Sequence, residues 1–196
     1  VSDGSESSSA SVSVSVSAVN DAPTLASVSD VSFDEDDSGS ISLSGSDVDG
    51  DDLTYGITGG SDITATLDGS DISFSAPGNY NGSEDFTVSV SDGELSDSQS
   101  IIVTVNAVND APVANATSGE TAEDQSIVVA LSGSDIDGDN LTFSLDADAT
   151  NGSVTLDGSL ATYTPNTNFN GDDSFTFNVS DGSESSSASV SVSVSA

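Results

Sequence analysis

Eighteen residues, Val1 to Ala18, recur letter for letter as Val179 to Ala196. A diverged third copy runs from Val90 to Ala107, and the tetrad Val-Ser-Asp-Gly opens all three copies at a step of 89 residues. A fixed period of this length restricts the chain to an array of similar small domains. The two ends match each other better than either matches the middle, so the larger repeating unit is a pair of unlike repeats spanning 178 residues. The chain reads as a slice of a longer tandem protein. Residues 1–18 are expected to be the final strand of a preceding repeat, 19–107 repeat A and 108–196 repeat B.

The repeated segment also states its local structure. Ser11 to Ser17 alternates serine and valine, which places Val12, Val14 and Val16 on one face of a strand. The middle copy keeps the pattern with Ile101, Val103 and Val105. Short apolar alternations separated by Gly, Asn and Asp turns predict an all-β sandwich. In repeat A the spacing predicts strands near Ala26–Phe33, Ser40–Leu43, Leu53–Ile57, Ile63–Leu67, Ile72–Ser75, Phe86–Val90 and Ser100–Val105. In repeat B it predicts them near Val113–Ala116, Ile127–Leu131, Leu141–Leu145, Ser153–Leu156, Ala161–Thr164, Phe175–Val179 and Ser187–Val194. No segment carries the apolar i, i+3, i+4 pattern of a helix. The fold class is all-β: tandem seven-stranded immunoglobulin-like sandwiches in a linear array. Aromatics recur in register as Tyr55 with Phe143, Phe74 with Tyr163, Tyr80 with Phe169 and Phe86 with Phe175. A small domain needs such bulk for its core, so these are expected to pack inside.

Composition then limits the chemistry. The chain has 34 acidic residues and no Lys, Arg or His, for a formal charge of −34. Roughly 2–8 charges suffice for a small soluble domain. An excess of this size drives the chain apart unless something neutralises it, and no side chain can. Hard divalent cations are the natural counter-ions, because they take oxygen ligands. The same composition excludes nucleic-acid binding, which needs cations on phosphates, and attraction to anionic membranes. With no Cys or His there is no zinc site of the usual kinds and no thiol or imidazole catalysis. No apolar run of about 18 residues exists to insert in a bilayer. High charge and few aromatics are also the composition of disordered chains, but a disordered tail has no reason to hold a period-2 register.

Three acidic motifs occur twice. Asp47-Val48-Asp49-Gly50-Asp51 is matched by Asp135-Ile136-Asp137-Gly138-Asp139. Alternating carboxylates around a glycine set several oxygens on one side of a tight loop, as in EF-hand loops, although the flanking helices and the final Glu of that motif are missing. Ala-Val-Asn-Asp-Ala-Pro recurs at Ala18–Pro23 and Ala107–Pro112, between one repeat's last strand and the next repeat's first. An acidic turn opens each repeat, Asp34-Glu35-Asp36-Asp37 and Ala122-Glu123-Asp124. Asp92 and Asp181 of the Val-Ser-Asp-Gly tetrads join them. Asp68 and Asp157, in Leu-Asp-Gly turns, are read as solvated turn residues.

Together these residues resemble cadherin repeats, and more closely the bacterial cadherin-like repeats of giant calcium-dependent extracellular adhesins. The resemblance covers both full repeats. It implies Ca2+ bound between successive domains, with Glu35, Asn109, Asp110, Asp135, Asp137 and Asp181 at the junction of the two repeats. Upstream it implies Asn20, Asp21, Asp47, Asp49 and Asp92. Asp51, Asp139 and Glu123 complete the candidate metal ligands. The linker's leading Asp of the cadherin motif is Ala18 or Ala107 here, and the Asp-Arg-Glu motif has no counterpart other than Asp85 and Asp173.

The function that follows is structural: calcium-rigidified extender repeats of a long extracellular adhesin or surface filament on a bacterial cell. The partners are neighbouring repeats of the same polypeptide. The alternative is a calcium-dependent module binding cell-surface carbohydrate or a like domain. An enzyme is not expected, because paired carboxylates hydrolyse glycosides only in a substrate cleft, and short-looped repeats leave little room for one.

Overall fold

A computed structural model describes all 196 residues, Val1–Ala196. The chain forms two compact units, Val1–Ala107 and Val108–Ala196. Both are all-β immunoglobulin-like sandwiches without a helix. In the first, the strands are β1 (Thr24–Leu25), β2 (Val31–Asp34), β3 (Ser38–Ser42), β4 (Gly45–Ser46), β5 (Thr54–Gly59), β6 (Thr64–Asp68), β7 (Asp71–Ser75), β8 (Gly82–Ser91) and β9 (Ser96–Asn106). One sheet runs β2-β9-β8-β5, the other β3-β7-β6, and β1 pairs with β4. The second unit repeats this with β10 (Val113–Asn115), β11 (Thr117–Ala122), β12 (Ile127–Ala130), β13 (Ser132–Ser134), β14 (Thr142–Ala147), β15 (Gly152–Asp157), β16 (Leu160–Pro165), β17 (Gly171–Ser180) and β18 (Ser185–Ser195). Its sheets run β11-β18-β17-β14 and β12-β16-β15, with β10 on β13. In both units the ladders are antiparallel except one: β2 on β9, and β11 on β18, are parallel.

The period-2 alternation becomes the inner faces of the sheets. Val88, Val90, Ile101, Val103 and Val105 point into the first core, and Val190, Val192 and Val194 into the second. Phe74, Phe86, Tyr163 and Phe175 are fully buried, and Tyr55, Tyr80, Phe143 and Phe169 pack against these cores from partly buried positions. Every recurring aromatic therefore packs with a core.

Several features depart from the strand expectations, among them β4 and β13, the short partners of β1 and β10, which no expected strand covers. The segment expected as one strand over Ala26–Phe33 is instead a crossing over Ala26–Asp30 followed by β2, with β1 just before it. The crossing is held by side chains of β9. Gln99 Nε2 donates to Leu25 O (3.0 Å) and Ala26 O (3.1 Å), while Gln99 Oε1 accepts from Val28 N (3.1 Å). Asp97 accepts from Leu25 N (2.9 Å). These bonds replace a backbone ladder while the chain passes from one sheet to the other. In the second unit, β11 was not anticipated. Its Thr-Ser-Gly-Glu-Thr-Ala sequence has no apolar face, and its backbone pairing with β18 alone makes it a strand.

These sandwiches have distinct poles. The turn joining β8 to β9 marks the head pole of the first unit, where the linker Ala18–Pro23 also lies. Asn106, opposite Asp34, marks the tail pole. β9 separates them by 11 residues, about 35 Å at the rise of an extended strand.

The N-terminal eighteen residues pack into neither core. Val12, Val14 and Val16 are 86, 82 and 89% exposed, whereas their identical counterparts Val190, Val192 and Val194 are 0, 1 and 3% exposed. Yet the turn that precedes each copy is the same. Asp3 Oδ1 accepts from Ser5 N and Glu6 N, as Asp181 Oδ1 does from Ser183 N and Glu184 N. Gly4 and Gly182 take φ +100° and +104°, a region that glycine occupies without steric cost. The turn therefore forms from local sequence alone.

A second carboxylate device closes the loop between β5 and β6, and a counterpart closes that between β14 and β15. Glu84 accepts from Ser61 Oγ (2.7 Å) and from the amides of Ser61, Asp62 and Ile63 at 2.8–3.1 Å. The Ser61 hydroxyl above all, with these amides, holds Glu84 at about 2, below the ordinary 4.5. A depressed carboxyl contributes stability that is complete above the unfolded value and is lost as pH falls through the folded one. The Glu84→Gln variant is therefore expected to lose less melting temperature than the wild type between pH 5 and pH 2. Solvent screening at a partly exposed group discounts the effect, so the difference should be on the order of a few °C. Parallel acid limbs in paired melts would dismiss the effect.

Candidate metal centres

The loop after β4 is a carboxylate cradle. Asp47 Oδ1 accepts from the amides of Asp49 (2.8 Å), Gly50 (3.0 Å) and Asp51 (3.4 Å), folding the loop back on its own first residue. Gly50 sits at φ +82° and lets the chain reverse. Carboxylate oxygens of Asp47, Asp49 and Asp51 then lie within 4.8 Å of one another. Three like charges at this spacing repel by roughly 1 kcal/mol per pair even at the dielectric of bulk water. Asp47 Oδ2 is buried and has no hydrogen-bond partner. Such an atom costs free energy unless something other than protein satisfies it.

The linker is tied to the same place. Asp21 N donates to Asp49 Oδ2 (2.8 Å), and Asn20 Nδ2 donates to Asp92 Oδ2 (2.9 Å) across 72 residues of sequence. Asp92 Oδ1 accepts from Glu94 N and Leu95 N, both at 2.7 Å. The Leu95 amide first, then Asn20, then the Glu94 amide hold this carboxyl below its usual range. Asn20, Asp49, Asp51, Asp92 and Glu94 line one cleft with Ala18 and Val19. Glu94 was not singled out in sequence. Its only signal was its place two residues after Asp92, in a turn where acidic residues are common.

The second unit rebuilds this arrangement. Asp135 Oδ1 accepts from Asp137 N (2.9 Å) and Asp139 N (3.3 Å), with Gly138 at φ +81°. Asp135, Asp137 and Asp139 bring their oxygens within 4.8 Å, and Asp135 Oδ2 is buried without a partner. Asp110 N donates to Asp137 Oδ2 (2.8 Å), and Asn109 Nδ2 to Asp181 Oδ2 (2.9 Å). Asn109 is the largest influence holding Asp181 below its usual range, ahead of the Glu184 and Ser183 amides.

Glu35 and Glu123 stand elsewhere. Glu35 N donates to Asn106 O (2.9 Å), and Glu123 N to Ser195 O (2.7 Å), so each lies at the tail pole of its own unit. Glu35 is the one buried charged side chain, at 6% exposure. The length of β9 separates it from Asp47, Asp49 and Asp92, so it joins no cluster of its own unit. Asp173 is committed inside its domain. Its oxygens accept from Thr150 N, Asn151 N, Ser174 N and Tyr163 Oη at 2.8–3.2 Å. It corresponds to Glu84, not to Asp85, and like Glu84 it caps a loop.

The donor sets are oxygen only, crowded with charge, and each contains a buried carboxylate oxygen with no partner. They fit a hard divalent cation and no softer metal, for want of sulfur or imidazole.

A family model described as bacterial Ig domain matches residues 20–105 and 109–194. Among solved structures, the human protocadherin-24 EC1-2 fragment is 19% identical at a TM-score of 0.56, covering 90% of this chain and 98% of that one. A second crystal form of that fragment gives 19% identity and a TM-score of 0.52 over 80% of this chain and 87% of that one. At such identities the likeness concerns the fold alone. The endo-fucoidan hydrolase MfFcnA4 is 24% identical over 89% of this chain, but the chain spans only 29% of that enzyme, and the TM-score is 0.38. No curated protein sequence matches the chain.

Proposed function

The chain belongs to the bacterial Ig domain family, as two tandem cadherin-like copies, and from that membership we propose that it is a calcium-stiffened extender segment of an extracellular bacterial adhesin or surface filament. One observation carries the reading. Each head pole gathers three carboxylates around a buried oxygen without a partner, and ties that cluster to the linker that leads into the domain. An ion held there binds the domain and its leading segment together. Asp47, Asp49 and Asp51, with Asn20, Asp21 and Asp92, are the residues to hold it in the first unit. Asp135, Asp137 and Asp139, with Asn109, Asp110 and Asp181, do so in the second. Calcium supplies the neutralising positive charge. The remaining candidate ligands, Glu35 and Glu123, are assigned to the linker that follows their own unit, and Val1–Ala18 to the last strand of a preceding repeat.

The protein's role is then mechanical spacing, with neighbouring repeats of the same polypeptide as its partners. A carbohydrate-binding or homophilic module gains no support from the aromatics, since each packs against a core.

The test compares two aspartates of unlike position. Asp137→Ala removes an oxygen of the second cluster and the acceptor of the Asp110 amide. Asp157→Ala alters only the β15–β16 turn. In calcium titrations by calorimetry, the first variant is expected to lose one site or weaken it at least tenfold, and the second to match the wild type. Small-angle scattering in saturating calcium should show a broader distance distribution for the first variant alone. Unchanged binding in Asp137→Ala would remove the assignment.

A further inference from the structure

In an Asp-Gly pair the aspartate carboxyl and the next amide meet with little steric hindrance, because glycine brings no Cβ. Within residues 19–196 the pair begins at Asp49, Asp68, Asp92, Asp137, Asp157 and Asp181. The fold treats these places in two ways. At four of them the carboxylate is held. Asp49 Oδ2 accepts from Asp21 N, and Asp137 Oδ2 from Asp110 N, both at 2.8 Å. Asp92 and Asp181 each accept three bonds, two from the amides that follow and one from the linker asparagine. Their glycine amides are engaged as well, Gly93 N on Ser91 Oγ and Gly182 N on Ser180 Oγ, both at 3.1 Å.

Asp68 and Asp157 are the other two. Each is exposed at the last position of its strand, β6 or β15, and its carboxylate accepts no hydrogen bond. Gly69 and Gly158, at φ +63° and +60°, have open space where a Cβ would stand, and their amides donate to no neighbour. The attacking nitrogen and the carboxyl carbon are both free to meet.

We propose that Asp68-Gly69 and Asp157-Gly158 are sites of spontaneous conversion to isoaspartate, and that the fold shields the same pair in the Asp-x-Asp-Gly-Asp loops and the linker contacts. Gly158 N attacks Asp157 Cγ. A carbon–nitrogen bond forms while a carboxyl oxygen leaves as water, taking the amide proton and one proton from solvent, and a five-membered succinimide closes. Water then opens the ring. Attack at Cγ restores aspartate, and attack at the backbone carbonyl leaves the chain running through Cβ and Cγ. No oxidant, metal or enzyme enters, and the product has the mass of the starting chain. The extra backbone methylene falls in a two-residue turn, where loop length sets strand register, so the pairs Asp68↔Asp71 and Asp157↔Leu160 are disturbed. This inference does not depend on the metal reading.

The experiment keeps the full chain in calcium saline at neutral pH and body temperature for several weeks. With no Lys or Arg for trypsin, the chain is digested with pepsin. Peptides of equal mass are then separated, and electron-transfer fragmentation marks the isoaspartate. Asp-Gly-Ser stands at 68–70, 157–159 and 181–183, so the reacting tripeptide is the same and the fold alone differs. Releasing a carboxylate from even one charge-assisted hydrogen bond costs about tenfold in rate. Isoaspartate is therefore expected to form at least tenfold faster at Asp68 and Asp157 than at Asp181. In urea, where those bonds are gone, the three rates should converge. Equal rates at Asp157 and Asp181 in the folded chain would overturn the proposal. So would a difference that persists in urea.

Discussion

Removing calcium is expected to lower the melting temperature of each unit by roughly 10–20 °C. A ligand that binds only the folded state stabilises it by RT ln(1 + [L]/Kd), about 2.7 kcal/mol at a hundredfold excess over Kd. For domains of this size, each kcal/mol moves Tm by about 4–8 °C. Site affinity is not the only reason to expect a large effect. The chain carries −34 with no positive side chain, and its clusters hold three carboxylates within 4.8 Å. Taking the ion away leaves their repulsion acting against the fold. Magnesium should restore little of the loss, because it demands tight octahedral geometry and dehydrates reluctantly. Calorimetric melts in calcium, in chelator and in chelator with excess magnesium decide the matter. A midpoint indifferent to chelator would sink the calcium reading of both centres.

The second large effect lies in a core. Tyr163 is fully buried, and its hydroxyl donates to Asp173 Oδ2 (3.0 Å). Asp173→Ala leaves that hydroxyl, and the amides of Thr150 and Asn151, without their acceptor. Orphaning the buried hydroxyl and the partly buried Asn151 amide is expected to cost about 2–4 kcal/mol, or roughly 10–25 °C in the second unit. The neighbouring exposed Asp172→Ala should be nearly silent. The first unit suggests the remedy, since it has Phe74 where the second has Tyr163. Tyr163→Phe in the Asp173→Ala background should recover part of the loss, and a double-mutant cycle measures the coupling. Burial first, and Asp173 second, push the Tyr163 hydroxyl up to about 12 from 10.0. A raised phenol gives stability that is complete below about 10 and is lost as pH rises toward 12. Tyr163→Phe should therefore flatten that alkaline limb. Additive effects in the cycle would show that the pair is not coupled.

How much of this was legible in sequence depended on whether the signal was carried by side chains or by backbone. Val88, Val90, Ile101, Val103 and Val105 announced the centres of β8 and β9, because a buried face on a pleated strand demands alternation. β11 gave no such sign. Its residues are small and polar, and only the vacancy beside β18 makes it a strand. The break between β1 and β2 was hidden for a similar reason, since it depends on Gln99 reaching back more than 70 residues. In the candidate centres, the Asp-x-Asp-Gly-Asp loops could be read directly, because Gly50 and Gly138 fold acids that are already adjacent. The pairing of Asn20 with Asp92, and of Asn109 with Asp181, could be reached only through family resemblance. Asp173 shows the limit of such reasoning. An acid near a strand start looks the same whether it holds an ion or caps a loop, and the difference lies in amides contributed from elsewhere in the chain.

The parallel ladders have a consequence when the chain is pulled. In each unit the polypeptide comes in at one pole and departs at the other, and the strand after the crossing lies parallel to the last strand. Tension on the two ends slides these strands past one another along their length. Their hydrogen bonds are loaded side by side, so none can open first as in a peeled hairpin. The first unit opposes the load with four residue pairs, Val31↔Val103 to Asp34↔Asn106, and the second with six, Thr117↔Val190 to Ala122↔Ser195. Under load through its ends, the chain is therefore expected to open the first unit before the second, a step that single-molecule pulling would resolve.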